Sequence, residues 1–252
     1  MYPDFPEGAP CWADARLPDV EAGKRFYGDL FGWTFDEGAG AERGFYTAAY
    51  SEDRAVAALA PGGAGWTVHF AVRDTYAAAE KVAAYGGHIA AGPLSDGAVA
   101  TVALAAGPEG ALFGLWQAGS HQGFERAGAP GALCRAELWT PDAALSDSFY
   151  TAVFGYPPPL PHPADVPAPD LRTWRTGSPA AAGPAVPETS RQRVPGRPAR
   201  FLLHFGAADL PGTCAEALRL GGHVRTAPHS TPYGPMAVLT DDQGADFAVC
   251  TA

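Results

Sequence analysis

Apolar and polar residues alternate along Cys11–Leu17, and that period of two predicts a strand. Pro18 and Asp19 then supply a helix start. Val20, Phe26, Tyr27 and Leu30 put apolar side chains on one helical face, and Gly32 ends the helix. Short strands are predicted over Phe45–Tyr50 and Ala55–Ala60. A second round opens with a strand over Trp66–Val72 and a helix over Thr75–Tyr85. Gly86 and Gly87 cap that helix, where a left-handed backbone costs glycine little. His88–Ala91, Ala98–Leu104 and Leu112–Gln117 read as returning strands, with Gly107-Pro108-Glu109-Gly110 as the turn before the last.

The whole pattern then recurs. Asp19, Phe26–Tyr27 and Phe31–Gly32 return at one constant offset as Asp142, Phe149–Tyr150 and Phe154–Gly155. His69, Gly86–Gly87–His88 and Pro93 return at another as His204, Gly221–Gly222–His223 and Pro228. Asp241-Asp242-Gln243-Gly244 repeats the earlier turn. The chain is thus a duplicated pair of strand–helix–strands modules, and such a repeat sets the architecture before any single motif does. The expected domains are 1–118 and 133–252, joined by a Gly- and Ala-rich linker over 119–132. Prolines crowd residues 157–170, an expected insertion of loop or polyproline geometry. The stretch 179–198 also reads as a solvated loop, with Arg191, Arg193 and Arg197 in it and Arg200 just beyond.

Composition narrows the picture. With 252 residues, each repeat is long enough for an ordinary core. The net charge of −10 argues against binding to nucleic acid or an anionic membrane surface. No apolar run is long enough to span a bilayer, and the acidic, Pro-rich start is unlike a signal peptide, so a cytoplasmic protein is expected. Cys11, Cys134, Cys214 and Cys250 form no CxxC pair and read as buried small hydrophobes. The expected partner is a small molecule.

The marks PD…FY…LFGW, W-x-V-x-F…GG…P, and GPEGALFGLWQ or DDQGADFAV occur in order, twice over. In this they resemble the vicinal oxygen chelate superfamily, which includes glyoxalase I, bleomycin-resistance proteins and extradiol dioxygenases. The tandem form is similar to two-domain actinobacterial members. The resemblance implies an α+β fold of two tandem domains. Each would pair two βαβββ modules into a curved mixed sheet, a cup with helices outside. It also implies where a divalent metal would bind in metal-dependent members. Those positions fall on Trp12, Thr67, Arg135 and Leu202 on first strands, and on Gly114 and Ala248 on last strands. None of these residue types is an ordinary metal ligand, so no cofactor is expected.

Two residues further along, on the same strand face, stand Asp14 and Glu137, and His69 and His204. A carboxylate that orients an imidazole makes a general acid–base pair near neutral pH. Asp14 with His69, and Glu137 with His204, are therefore the candidate catalytic residues, although a buried structural pair would look the same. Trp12, Thr67, Trp116, Arg135, Trp139 and Asp246 share the cup parity and are candidate substrate contacts, the indoles suiting a flat conjugated ligand. Trp33, Phe26, Tyr27, Phe149 and Tyr150 are expected in the core. Three functions fit: a metal-independent isomerase, cyclase or lyase acting on an aromatic or hydrophobic metabolite; a sequestering protein of bleomycin-resistance type; or an oxygenase, hydroxylase or lyase with its metal shifted to Glu137, His204 and Asp246. An enzyme without metal is the favoured expectation.

Overall fold

The computed structural model describes residues 5–36, 46–158, 160–161, 170–176 and 187–252. The first half runs β1 (Pro10–Leu17), α1 (Val20–Phe31), β2 (Thr34–Phe35), β3 (Thr47–Ser51), β4 (Arg54–Pro61), β5 (Gly65–Ala71), α2 (Thr75–Ala84), β6 (His88–Asp96), β7 (Ala100–Ala106) and β8 (Leu112–Ala118). The second half repeats it with β9 (Leu133–Thr140), α3 (Ala143–Phe154), β10 (Leu160–Pro161), β11 (Leu171–Trp174), β12 (Glu188–Arg193), β13 (Arg200–Ala207), α4 (Leu210–Arg219), β14 (His223–Thr231), β15 (Gly234–Thr240) and β16 (Asp246–Thr251).

Two eight-stranded mixed sheets result, with the same order: β2-β3-β4-β1-β5-β8-β7-β6 and β10-β11-β12-β9-β13-β16-β15-β14. Parallel pairs sit at each centre. Asp14 on β1 lies opposite Ala58 on β4, and His69 on β5 lies opposite Gly114 on β8. In the second sheet His204 on β13 lies opposite Ala248 on β16.

An aspartate starts each helix. Asp19, Asp74, Asp142 and Asp209 sit in extended backbone, and their carboxylates accept from amides of the first turn. Each such cap contributes on the order of 1 kcal/mol. Gly32 and Gly155 end α1 and α3 with φ of 70° and 72°, a left-handed backbone that favours glycine.

The chain divides into two compact units. The first comprises Met1–Trp12, Val68–Gly123 and Ala136–Phe201, and the second Ala13–Thr67, Phe124–Arg135 and Leu202–Ala252. In the first unit, Phe70 packs on Phe154 and Phe201 with ring centroids 5.1 and 5.4 Å apart, and Phe113 on Tyr150 at 5.6 Å. In the second unit, Trp66 meets Phe205 at 4.9 Å and Phe31 meets Phe205 at 5.5 Å. The expected core residues Phe26, Tyr27, Trp33, Phe149 and Tyr150 are all buried. Burying each such ring stabilises by roughly 1.5–3 kcal/mol before entropy is counted.

One expectation fails in a describable place. Residues 188–193 form β12, a strand hydrogen-bonded to β11, and not a solvated loop. Arg191 is buried there, and its Nε donates to Asp147 on α3 at 2.9 Å. The ion pair and the strand partner stabilise a segment whose own residues, ETSRQR, show no apolar alternation. Most of the Pro-rich stretch 157–170 lies outside the described residues.

Candidate functional site

In the first unit, β1, β5 and β8 bring Trp12, His69 and Trp116 together. Trp12 is fully buried and lies 6.3 Å from Trp116, centroid to centroid. His69 meets Trp116 edge-on at 5.7 Å. His121, from the stretch after β8, stands edge-on to Trp12 at 4.4 Å and to Trp116 at 5.4 Å. The Trp116 indole N–H donates to the His121 carbonyl at 3.3 Å. Two indoles and two imidazoles thus form one aromatic cluster. Opposite His69, Gly114 supplies the space: a Cβ built there would overlap the imidazole ring.

The same unit carries Glu137 and Trp139, two residues apart on one face of β9. The Trp139 indole N–H donates to the nearly buried Glu137 carboxylate at 2.8 Å. Arg200 places its guanidinium 5.0 Å from the Trp139 ring centroid, a cation–π contact.

The second unit holds the other candidates. Asp14 is 4% exposed, accepts from the Tyr46 hydroxyl at 3.4 Å and lies 3.9 Å from the Arg16 Nε. Thr67 is half-buried on β5. Arg135 stacks over the Tyr233 ring at 3.1 Å from its centroid. His204 is buried on β13. Asp246 accepts from the Thr240 hydroxyl at 3.0 Å, with Arg225 3.8 Å away.

Several of these contacts had little sequence signal. His121 lies in a linker, and Tyr46, Arg200 and Tyr233 stand at element edges. Gly114 did carry one: a glycine inside a strand often marks a close approach.

The residues do not fit the superfamily's metal. Trp12, Thr67, Gly114, Arg135, Leu202 and Ala248 offer no thiolate, imidazole or carboxylate, and Arg135 brings a positive charge. At Gly114 the fit fails sterically too, because a glutamate there would need the space that the His69 ring fills. Among the described residues no group of three or more His, Cys, Asp or Glu is gathered closely enough to hold an ion. Asp246 instead turns to Thr240 and Arg225. Its carboxylate sits at the start of β16 and pairs in register with Thr240, a placement that strand parity alone does not specify.

Tyr27 on α1 and Tyr150 on α3 are buried. Burial, and after it the Asp241 carboxylate, pushes the Tyr27 hydroxyl well above its usual range. Among the described residues no helix is long and apolar enough to cross a membrane.

Residues 135–250 match the family described as "Glyoxalase-like domain". The chain is 34% identical to "Anthracycline biosynthesis protein DnrV" of Streptomyces peucetius over 266 aligned residues, covering 97% of this chain and 94% of that protein. Its fold is similar to the 2,3-dioxygenase LapB of Pseudomonas sp. KL28, with a TM-score of 0.64 and 16% identity, covering 98% of this chain and 94% of that one. A Mn(II)-bound glyoxalase from Novosphingobium aromaticivorans gives a TM-score of 0.64 and 16% identity, covering 97% and 83%. At such identities the solved structures speak to the fold alone.

Proposed function

The chain belongs to the glyoxalase-like family of the vicinal oxygen chelate fold, and we propose that it transforms an aromatic, polycyclic metabolite by proton transfer, without a metal at the family's positions. The observation that carries this reading is the exchange at Gly114 and His69: the imidazole fills the space that a last-strand metal ligand would need. The indoles of Trp12 and Trp116 beside that imidazole support an aromatic substrate. So does the relative DnrV, whose name assigns it to anthracycline biosynthesis.

In this reading His69 and His204 exchange protons with the substrate, and Asp14 and Glu137 remain proposed acid–base groups. Removing a proton next to a ring carbonyl and returning it elsewhere would isomerise, cyclise or dehydrate such a molecule. An imidazole can both take and give a proton and so can serve in both directions. Trp139 keeps Glu137 oriented through its indole N–H. Thr67, Arg135 and Asp246 remain proposed substrate contacts.

A sequestering role is the second reading, favoured by the same indole lining, which needs no proton chemistry. The two separate cleanly with a hydroxylated anthraquinone-type ketone as probe, followed by mass-resolved turnover and by quenching of indole fluorescence. Under the catalytic reading, His69→Gln or His204→Gln lowers turnover by about 10²–10⁴-fold, the usual contribution of a general acid–base group. Quenching survives in both variants. Binding without turnover in the parent protein, unchanged in both variants, would make it a binder. A stoichiometric metal in the purified protein, whose removal ends turnover, would defeat the metal-independent reading.

A further inference from the structure

Cys134 and Cys250 are not among the residues assigned to proton transfer, and both belong to the second unit. The Cys134 Sγ lies 3.6 Å from the Ala132 carbonyl, which also accepts from the Gly206 N–H at 3.0 Å. The Cys250 Sγ lies 3.7 Å from the Phe205 carbonyl, the other end of that same peptide group. The two thiols therefore bracket one peptide of β13, and their side chains hydrogen-bond to each other. Cys250 lies opposite Gly206 in register, where the first sheet has Trp116 opposite Ala71. The thiol pair is thus particular to the second copy, although Cys11 repeats as Cys134.

The charge around the pair is uneven. The hydrogen bond from Cys134 pulls the Cys250 thiol below its usual range; burial opposes this, and the Arg135 guanidinium adds to it. The same hydrogen bond, and then burial, push Cys134 up. Cys250 is buried, while Cys134 is half-buried.

We propose that Cys134 and Cys250 are a redox site that closes to a disulfide when the protein meets a peroxide. The Cys250 thiolate attacks the O–O bond and takes one oxygen as sulfenic acid, and the other oxygen leaves as hydroxide. The Cys134 sulfur then attacks the Cys250 sulfur, an S–S bond forms, and the sulfenic oxygen leaves as water with the Cys134 proton. Two thiols give up two electrons to one peroxide, and a dithiol reductant reverses the change. None of this rests on the reaction proposed above.

The test treats the folded protein with hydrogen peroxide and reads the intact mass and a non-reducing tryptic map. The expected result is a loss of about 2 Da, the two thiol hydrogens, regained in dithiothreitol. The tryptic fragments 127–135 and 226–252 should be found linked. Cys134→Ser and Cys250→Ser should each abolish the loss, while a protein carrying both Cys11→Ser and Cys214→Ser keeps it. A gain of oxygen without linkage, or a bond to Cys11 or Cys214, would overturn the proposal. If a serine variant does not fold, the map of the parent protein decides alone.

Discussion

The two packing units share one plan and anchor it with different polar groups. In the second unit, the Tyr27 hydroxyl donates to Asp241 at 2.8 Å and accepts from the Trp66 indole at 3.0 Å. The buried Asp241 carboxylate also accepts the amides of Gln243 and Ala245. In the first unit, Tyr150 occupies the matching helix position, but Gly107 stands where Asp241 does. The Tyr150 hydroxyl is buried without a hydrogen-bond partner among the described residues. That unit places its polar tie one turn higher. Glu109 accepts from the Thr140 and Ser146 hydroxyls and the Asp142 amide at the start of α3. The equivalents of Thr140 and Ser146 are Leu17 and Gly23, and the Leu17 side chain covers Gly23. There, Gln243 binds the Asp19 backbone, at 2.7 and 2.9 Å. Duplication preserved the apolar scaffold because every module needs it. The polar ties drifted because one satisfied network per unit is enough to orient helix against sheet.

That comparison can be broken at defined points. The largest effect is expected from Asp241→Ala, which strands the Tyr27 hydroxyl and two amides in a buried setting. At about 1–3 kcal/mol for each group left unpaired, the loss should exceed about 3 kcal/mol in a urea titration. Retention of the parent midpoint would show that the triad is not the anchor of its unit. Gly114→Ala comes next, costing about 1–3 kcal/mol through overpacking and moving the His69 ring. Its mirror change, Ala248→Gly, should cost under about 1 kcal/mol, because a methyl group already fits opposite His204 and glycine adds only backbone freedom. Equal effects at 114 and 248 would mean that the two central strand pairs are equivalent after all.

Tyr27→Phe should destabilise by about 1–2 kcal/mol, since Asp241 and Trp66 both lose a partner. The smallest effect is expected at the matching site. Tyr150→Phe removes a hydroxyl that makes no hydrogen bond among the described residues, and should be neutral or slightly stabilising by chemical denaturation. A cost at Tyr150 as large as that at Tyr27 would erase the proposed asymmetry.

Much of the fold was legible in the sequence. The helix start read at Pro18–Asp19, and its repeat at Asp142, are aspartate caps. The last strand of the first half, read as Leu112–Gln117, is β8 at Leu112–Ala118. These features depend on neighbours within a few residues, and local spacing encodes them directly. β12 was not legible, because a partner strand and the Asp147–Arg191 ion pair hold it against its polar composition.

The site divides along the same line. Strand parity selected Trp12, His69 and Trp116 as sharing a face, and they do meet. It could not supply His121, which arrives from the linker, nor pair Cys134 with Cys250.

The sequence alone determined the repeat, the strand–helix–strands plan of each module, and which face of its helices and main strands is apolar. Tertiary structure decided which modules share a core, drawing α1 and α4 into one unit and α2 and α3 into the other. It also decided which ring fills the space at Gly114. The reason is physical. Periodicity records that a face must leave water, a property of one segment. Which partner covers that face is a matter of shape and volume among residues far apart in the chain.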